Sequence, residues 1–135
     1  MTVQPAITIS TLDYDRLSNL AESASRHAPD VAAFLLEELS RADIAFGAPR
    51  EAVRMGSRVE FRDDESGTVQ SLRLVYPGQA DAQQGCISIL TPVGAALIGL
   101  SPGQSIQWRD RRGTLKKLTV LAVDAVADAA LTVID

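Results

Sequence analysis

Leu90-Thr91-Pro92-Val93-Gly94-Ala95-Ala96-Leu97-Ile98-Gly99-Leu100-Ser101-Pro102-Gly103-Gln104-Ser105-Ile106 decides how the second half of this chain folds. The apolar run Ile87, Ile89, Leu90 stops at Thr91-Pro92, which is a helix start. The Thr91 hydroxyl is placed to accept a first-turn amide, and Pro92 occupies the first helical position, where its missing N–H costs nothing. Val93, Ala96 and Leu97 then share one face at i, i+3, i+4. Gly99 supplies a left-handed stop, and Ser101-Pro102-Gly103-Gln104 turns into the next strand. The unit is strand, short helix, turn, strand, and it contains no catalytic residue type.

On either side of this unit the pattern has period two. Arg58-Val59-Glu60-Phe61-Arg62 alternates, Asp63-Asp64-Glu65-Ser66-Gly67 is a charged turn, and Leu72, Leu74 and Tyr76 point one way along a second strand. Val69 is out of phase with them, which suggests a bulge. Pro77 to Gly85 reads as a polar loop and Cys86 to Leu90 as a strand. Ser105 to Arg109 is the next strand, Arg111-Arg112-Gly113 a basic turn, and Leu115 to Asp124 the last strand. The segment after Asp124 is alanine-rich and fits either a helix or a loose end. The second half is therefore a compact α+β unit of four or five mostly antiparallel strands with one short helix.

The first half is helical. Ala6-Ile7-Thr8-Ile9 is an extended lead-in, Ser10 or Thr11 caps a helix with Asp13 completing a short capping box, and Leu12, Leu17, Leu20, Ala21 and Ala24 form its stripe. The pattern breaks at Ser25-Arg26-His27-Ala28-Pro29. Asp30 is the next N-cap, and Val31, Phe34, Leu35, Leu39 and Ala42 run on to a stop at Phe46-Gly47-Ala48-Pro49. Two such helices joined by a few polar residues make an antiparallel hairpin with arms of about 20–24 Å. Arg50 to Ser57 reads as a linker, so the expected division is a hairpin over residues 1–49 and an α+β domain over 50–135.

The totals narrow the function. The 135 residues are 46% hydrophobic and 22% charged, enough for a core. A formal net charge of −4 argues against a protein that coats nucleic acid. A single cysteine, Cys86, rules out an internal disulfide and fits a reducing compartment. Neither a signal-peptide pattern nor a membrane-length apolar run is present, so a cytoplasmic protein without membrane contact is expected.

No constellation supports catalysis. His27 sits in the hairpin loop without nucleophile or carboxylate pattern around it, and one His with one distant Cys is not a metal cluster. Cys86, beside apolar residues, reads as buried and inert. Asp63, Asp64 and Glu65 lack the oxygen-ligand spacing of a cation loop and read as a solvated hairpin tip. Arg109, Arg111 and Arg112 beside Trp108 form the one basic and aromatic patch; the arginines read as solvent-facing and Trp108 as packing inward with Ile106. No catalytic residue, metal or cofactor is expected.

Taken together, Ser57-Arg58-Val59-Glu60-Phe61-Arg62, Leu74-Val75-Tyr76-Pro77, and Thr91 to Leu100 followed by Gly103-Gln104-Ser105-Ile106-Gln107-Trp108 resemble the Rnk family, regulators of nucleoside diphosphate kinase related to the Gre transcript-cleavage factors. The resemblance runs from about Ile7 to Val123. It implies a short antiparallel coiled-coil hairpin on a C-terminal domain of FKBP-like fold, and bacterial RNA polymerase as partner at the rim of its secondary channel. In Gre factors the strand-to-helix loop, Asp-Ser-Pro, meets the polymerase; the positions here are Leu90, Thr91 and Pro92, with Leu90 in place of the acid. Gre hairpins are much longer and carry acids to the polymerase active centre. The tip here, with Arg26, His27 and Asp30, offers one acid. The resemblance thus implies a monomeric factor that competes with Gre-type proteins without stimulating cleavage. Two other readings stand beside it: a peptidyl-prolyl isomerase, weakened by the scarcity of aromatics (4%), and a polymerase-independent interaction module using Tyr14, Leu36 and Ile44.

Overall fold

A computed structural model describes residues 5–45 and 52–124. In chain order it contains β1 (Thr8–Ser10), α1 (Thr11–Ala24), α2 (Pro29–Arg41), β2 (Asp43–Ala45), β3 (Arg58–Asp63), β4 (Val69–Val75), β5 (Cys86–Ser88), α3 (Pro92–Leu97), β6 (Ser105–Arg109) and β7 (Leu115–Asp124), with two short 3-10 turns between β4 and β5. Strands β5-β4-β3-β7-β6 form one sheet, in which only β4 and β5 run parallel. Strands β1 and β2 form a separate parallel pair, Ile9 opposite Ile44.

The hairpin forms where the sequence places it, with three differences. Ser10 caps α1 by accepting the Asp13 amide at 3.2 Å, and Leu17, Ala21 and Ala24 are buried, but Leu12, read as part of the stripe, is 58% exposed. Helix α2 starts two residues earlier than Asp30 as its cap would set it: Ala28 is the cap residue and Pro29 supplies the pre-set φ of the first helical position. It ends at Arg41 rather than near Phe46, because Asp43 donates its N–H to the Ile7 carbonyl (2.9 Å) and the chain switches to strand pairing. Buried Glu38 is balanced by Arg41 (2.6 Å), which also bonds the Pro5 carbonyl.

The segment read as a linker is part of the core as far as it is described. Ala52, Val53 and Met55 are buried. Val53 donates to the Leu100 carbonyl (2.7 Å) and accepts from Gly99 (2.9 Å), while Gly56 donates to Leu74 (2.7 Å). A polar-looking composition misled here because the backbone groups, not the side chains, do the anchoring. The inner sheet face (Val59, Phe61, Leu72, Leu74, Ile106, Leu118) packs with α3 and with Ile7, Leu17 and Leu35 in one continuous core. The register shift lies between Glu60 and Phe61 on β3 against β7, not at Val69, which is simply the exposed first residue of β4. Cys86 is half-buried rather than buried.

Helix α1 is tied to the body through Asp13, whose Oδ2 accepts the Met55 amide at 3.3 Å. Burial raises the Asp13 carboxyl above the ordinary carboxylate range, only partly offset by the Met55 amide and the Arg54 and Arg16 cations. The native state therefore holds this proton more tightly than the unfolded chain does. The group's stabilising contribution is complete below the unfolded pKa and is lost as pH rises through the folded one. Asp13→Asn should accordingly match or exceed the wild-type urea midpoint at neutral pH and show a flatter pH dependence. A clearly lower midpoint at neutral pH would show instead that the carboxylate charge stabilises the junction.

Candidate functional site

The strand-to-helix loop is held by a dense local network. Leu90 donates its N–H to Ser88 Oγ (2.9 Å). Thr91 donates both its N–H (3.2 Å) and its hydroxyl (2.8 Å) to the Ser88 carbonyl, and its Oγ1 accepts the Gly94 amide (3.1 Å). This is the cap that the Thr-Pro pair encodes, and with Pro92 fixing φ it leaves the loop little freedom. Behind it, Gly94 to Leu100 are all buried, so α3 is seated against the sheet and α2. Leu90, Thr91 and Pro92 remain half-buried: Leu90 packs one side on the core and keeps the other available.

Pro92 opens onto a groove of about 820 Å³ between the start of α2 and the β6–β7 turn. His27, Asp30 and Phe34 line its helical side, and Trp108, Arg111 and Arg112 the other. The structure thus brings Pro92, His27 and Asp30 into one depression. Arg26 faces a separate shallow depression that shares His27 with Asn19 and Glu22, and Leu90 and Thr91 lie outside the groove walls. His27 and Arg26 are exposed, as a loop position requires.

The basic patch is solvent-facing, as its turn position implies, yet it also bounds this groove. Its shape is set by Asp110, whose carboxylate accepts the Arg112 (2.9 Å) and Thr114 (3.0 Å) amides, while Arg109 donates to the Gly113 carbonyl (2.9 Å). Trp108 is partly buried on the same inner side of β6 as Ile106, and its Nε1 is buried without a hydrogen-bond partner. Phe34 is the wall residue that helical spacing assigned to the hairpin stripe alone. Its side of α2 became informative only once the tip lay beside the turn.

Elsewhere on the sheet, Asp64 accepts from Thr119 (2.7 Å) and Arg62 (2.9 Å), and Ser105 lies 2.7 Å from the same Thr119 hydroxyl. Partial burial pushes the Asp64 carboxyl up, but the Thr119 and Arg62 hydrogen bonds outweigh it and hold the group below its ordinary value. Since the Thr119 proton goes to Asp64, Ser105 is the donor to Thr119. This ladder pins the charged turn to β7; its one carboxylate, Asp64, is held below its ordinary value and is a poor base for activating a hydroxyl. Among the described residues no group of three His, Cys, Asp or Glu is arranged to hold a metal ion, and no helix is long and apolar enough to cross a membrane.

Comparison with known proteins gives two family matches: the Rnk N-terminus over residues 5–44, and the C-terminal part of the GreA/GreB transcription elongation factors over residues 48–125. The regulator of nucleoside diphosphate kinase from Escherichia coli K12 is 36% identical over 129 residues, 94% of this chain and 95% of that protein. Transcription elongation factor GreA from Syntrophobacter fumaroxidans is 43% identical over 68 residues, half of this chain and 43% of the factor. The solved structure of a prokaryotic transcription elongation factor GreA/GreB from Nitrosomonas europaea superposes with a TM-score of 0.68 at 37% identity, covering 90% of this chain and 99% of that one.

Proposed function

The chain belongs to the Rnk family and carries a GreA/GreB-type C-terminal part, and from that premise we propose that it regulates transcription by binding RNA polymerase near the secondary channel. On this reading it competes with Gre-type factors and does not stimulate transcript cleavage. The relative's name extends the proposal to control of nucleoside diphosphate kinase. A polymerase partner also places the protein in the bacterial cytoplasm. The relatives are regulators and elongation factors, which agrees with a non-enzymatic role and does not favour the isomerase.

One observation carries the reading. The loop that Gre factors use against polymerase is here half-buried and held in place, capped by Thr91, fixed by Pro92 and backed by a buried helix. A preformed loop loses little entropy on docking, which is what a protein contact of modest size needs. Leu90 stands where the Gre loop has an acid, so this contact is apolar. The arms support the negative half of the proposal. Helices of 14 and 13 residues reach only about 20 Å, and Arg26, His27 and Asp30 at their tip supply a single carboxylate, too few for a shared metal. We assign the pair as a short coiled coil on an FKBP-like domain, divided as 1–49 and 50–135, a division supported by the separate spans of the two family matches.

Retention of the full chain on immobilised core polymerase tests this. Leu90→Lys should weaken binding at least tenfold, about 1.4 kcal/mol, while Leu90→Asp, which restores the Gre-type acid, should retain it. A Gre factor should displace the wild type, and added protein should not raise cleavage of a stalled transcript. Equal retention of wild type and Leu90→Lys would remove the loop from the interface.

A further inference from the structure

The groove beside Pro92 has a chemistry that a protein contact at Leu90 does not use. Within four residues the β6–β7 turn places Arg109, Arg111 and Arg112 along one wall, in a chain whose formal net charge is −4. Arg109 is committed to the Gly113 carbonyl, but the Arg111 and Arg112 guanidiniums are exposed and make no side-chain bond to a described residue. The neighbouring carboxylate, Asp110, accepts turn amides on its Oδ1 and, among the described residues, makes no direct ion pair with Arg111 or Arg112, while its charge stands on the same wall of the groove. Planar guanidiniums on two adjacent residues of one turn suit the bidentate geometry of phosphate oxygens.

The rest of the groove supplies the complement. Trp108, Phe34 and His27 line it with ring surface, which stacks on planar rings of any sequence or substituent pattern. Asp30 and Glu37 stand on the helical side, away from the arginines in sequence and on a different element. They can accept hydrogen bonds from hydroxyl or amino groups and repel phosphate, which favours phosphates on the arginine wall and hydroxyl groups toward α2. A volume of about 820 Å³ lies within the range that small-molecule clefts occupy.

We propose that this groove binds a nucleoside phosphate, with Arg111 and Arg112 on the phosphates and Trp108 and Phe34 against the base. The proposal goes beyond polymerase binding and stands whether or not Leu90 meets a polymerase. Trp108 is the only tryptophan, so its emission reports on this site alone. The full chain, excited at the red edge of the indole band, is titrated separately with ADP, GDP, inorganic pyrophosphate, adenosine and a glutamate-rich peptide. ADP or GDP should give a saturable change in emission. Adenosine and pyrophosphate should each bind at least tenfold more weakly, and Arg111→Ala with Arg112→Ala should weaken ADP by a similar factor while leaving the circular dichroism unchanged. No saturable response to either nucleotide, or an unaltered ADP curve in the arginine variant, would overturn the site. Pyrophosphate binding as tightly as ADP would reduce it to a bare anion site, and tighter binding of the acidic peptide would make it a protein-docking groove; either result overturns the nucleoside assignment.

Discussion

Gly99→Ala is expected to lower the unfolding free energy by about 3 kcal/mol, the largest effect foreseen for a single methyl group in this chain. Two costs add. The residue sits at φ +81°, a left-handed conformation that costs an L-residue about 1–2 kcal/mol. Its new Cβ would also lie 2.8 Å from Ile7 Cβ and 3.3 Å from Ile9 Cγ1, and overpacking a buried site costs about 1–3 kcal/mol. Ile7 has little room to swing away, being 1% exposed, with its carbonyl accepting the Asp43 amide (2.9 Å) and the next amide, Thr8, donating to the Gly99 carbonyl. Gly99 is where three segments meet: its N–H goes to Val53, and its carbonyl accepts Thr8 at 3.2 Å. Gly103→Ala provides the control, because it shares the positive φ (+90°) with nothing within 4 Å of its Cβ. Both variants lose the same chain entropy in the unfolded state. Urea unfolding should therefore show Gly103→Ala losing about 1–2 kcal/mol and Gly99→Ala clearly more. Equal losses would mean that the contact with Ile7 contributes nothing.

The elements that local chemistry specifies were legible in the sequence, and the joints between them were not. Thr91-Pro92, Ser10, Gly99 and the alternating face of β3 each encode their own geometry through a cap, a φ restriction or a period of two, and these stand as read. Helix α2 shows the limit. Its apolar spacing continues through Ala42 toward Phe46, yet β1 captures the backbone at Asp43 and ends the helix, a decision made by a strand far away in the chain. Val53 and Met55 were hidden for the same reason, since two apolar residues among polar ones carry no period. The candidate site divides in the same way. Leu90, Thr91 and Pro92 follow from the motif, whereas the groove exists only because the tip of the hairpin and the turn after β6 lie on opposite sides of one depression. No spacing within either segment announces the other.

Gly94→Ala would be stabilising by helix propensity alone, by about 1 kcal/mol, and is expected instead to cost about 2 kcal/mol net. The added Cβ would stand 2.4 Å from the Ser88 carbonyl oxygen and 3.1 Å from Ile89 Cα, both backbone atoms without a side chain's freedom to move. The Ser88 carbonyl is the acceptor that holds Thr91 by its amide and its hydroxyl, so relief of the clash must come at the cap. Thr91→Ala alone should cost about 1 kcal/mol as a lost cap. If the methyl group already displaces that cap, the double variant will lose less than the sum of the two, a coupling expected for residues sharing one acceptor. The same displacement frees Leu90 and Pro92 from their fixed presentation. On the proposed loop contact, Gly94→Ala should therefore weaken retention on core polymerase at temperatures where circular dichroism shows it fully folded, while Gly103→Ala, remote from the loop, should not. Additive losses in the double variant, or a Gly94→Ala protein as stable as the wild type, would show that the cap and the glycine are independent and that the loop is not held in the way these distances require.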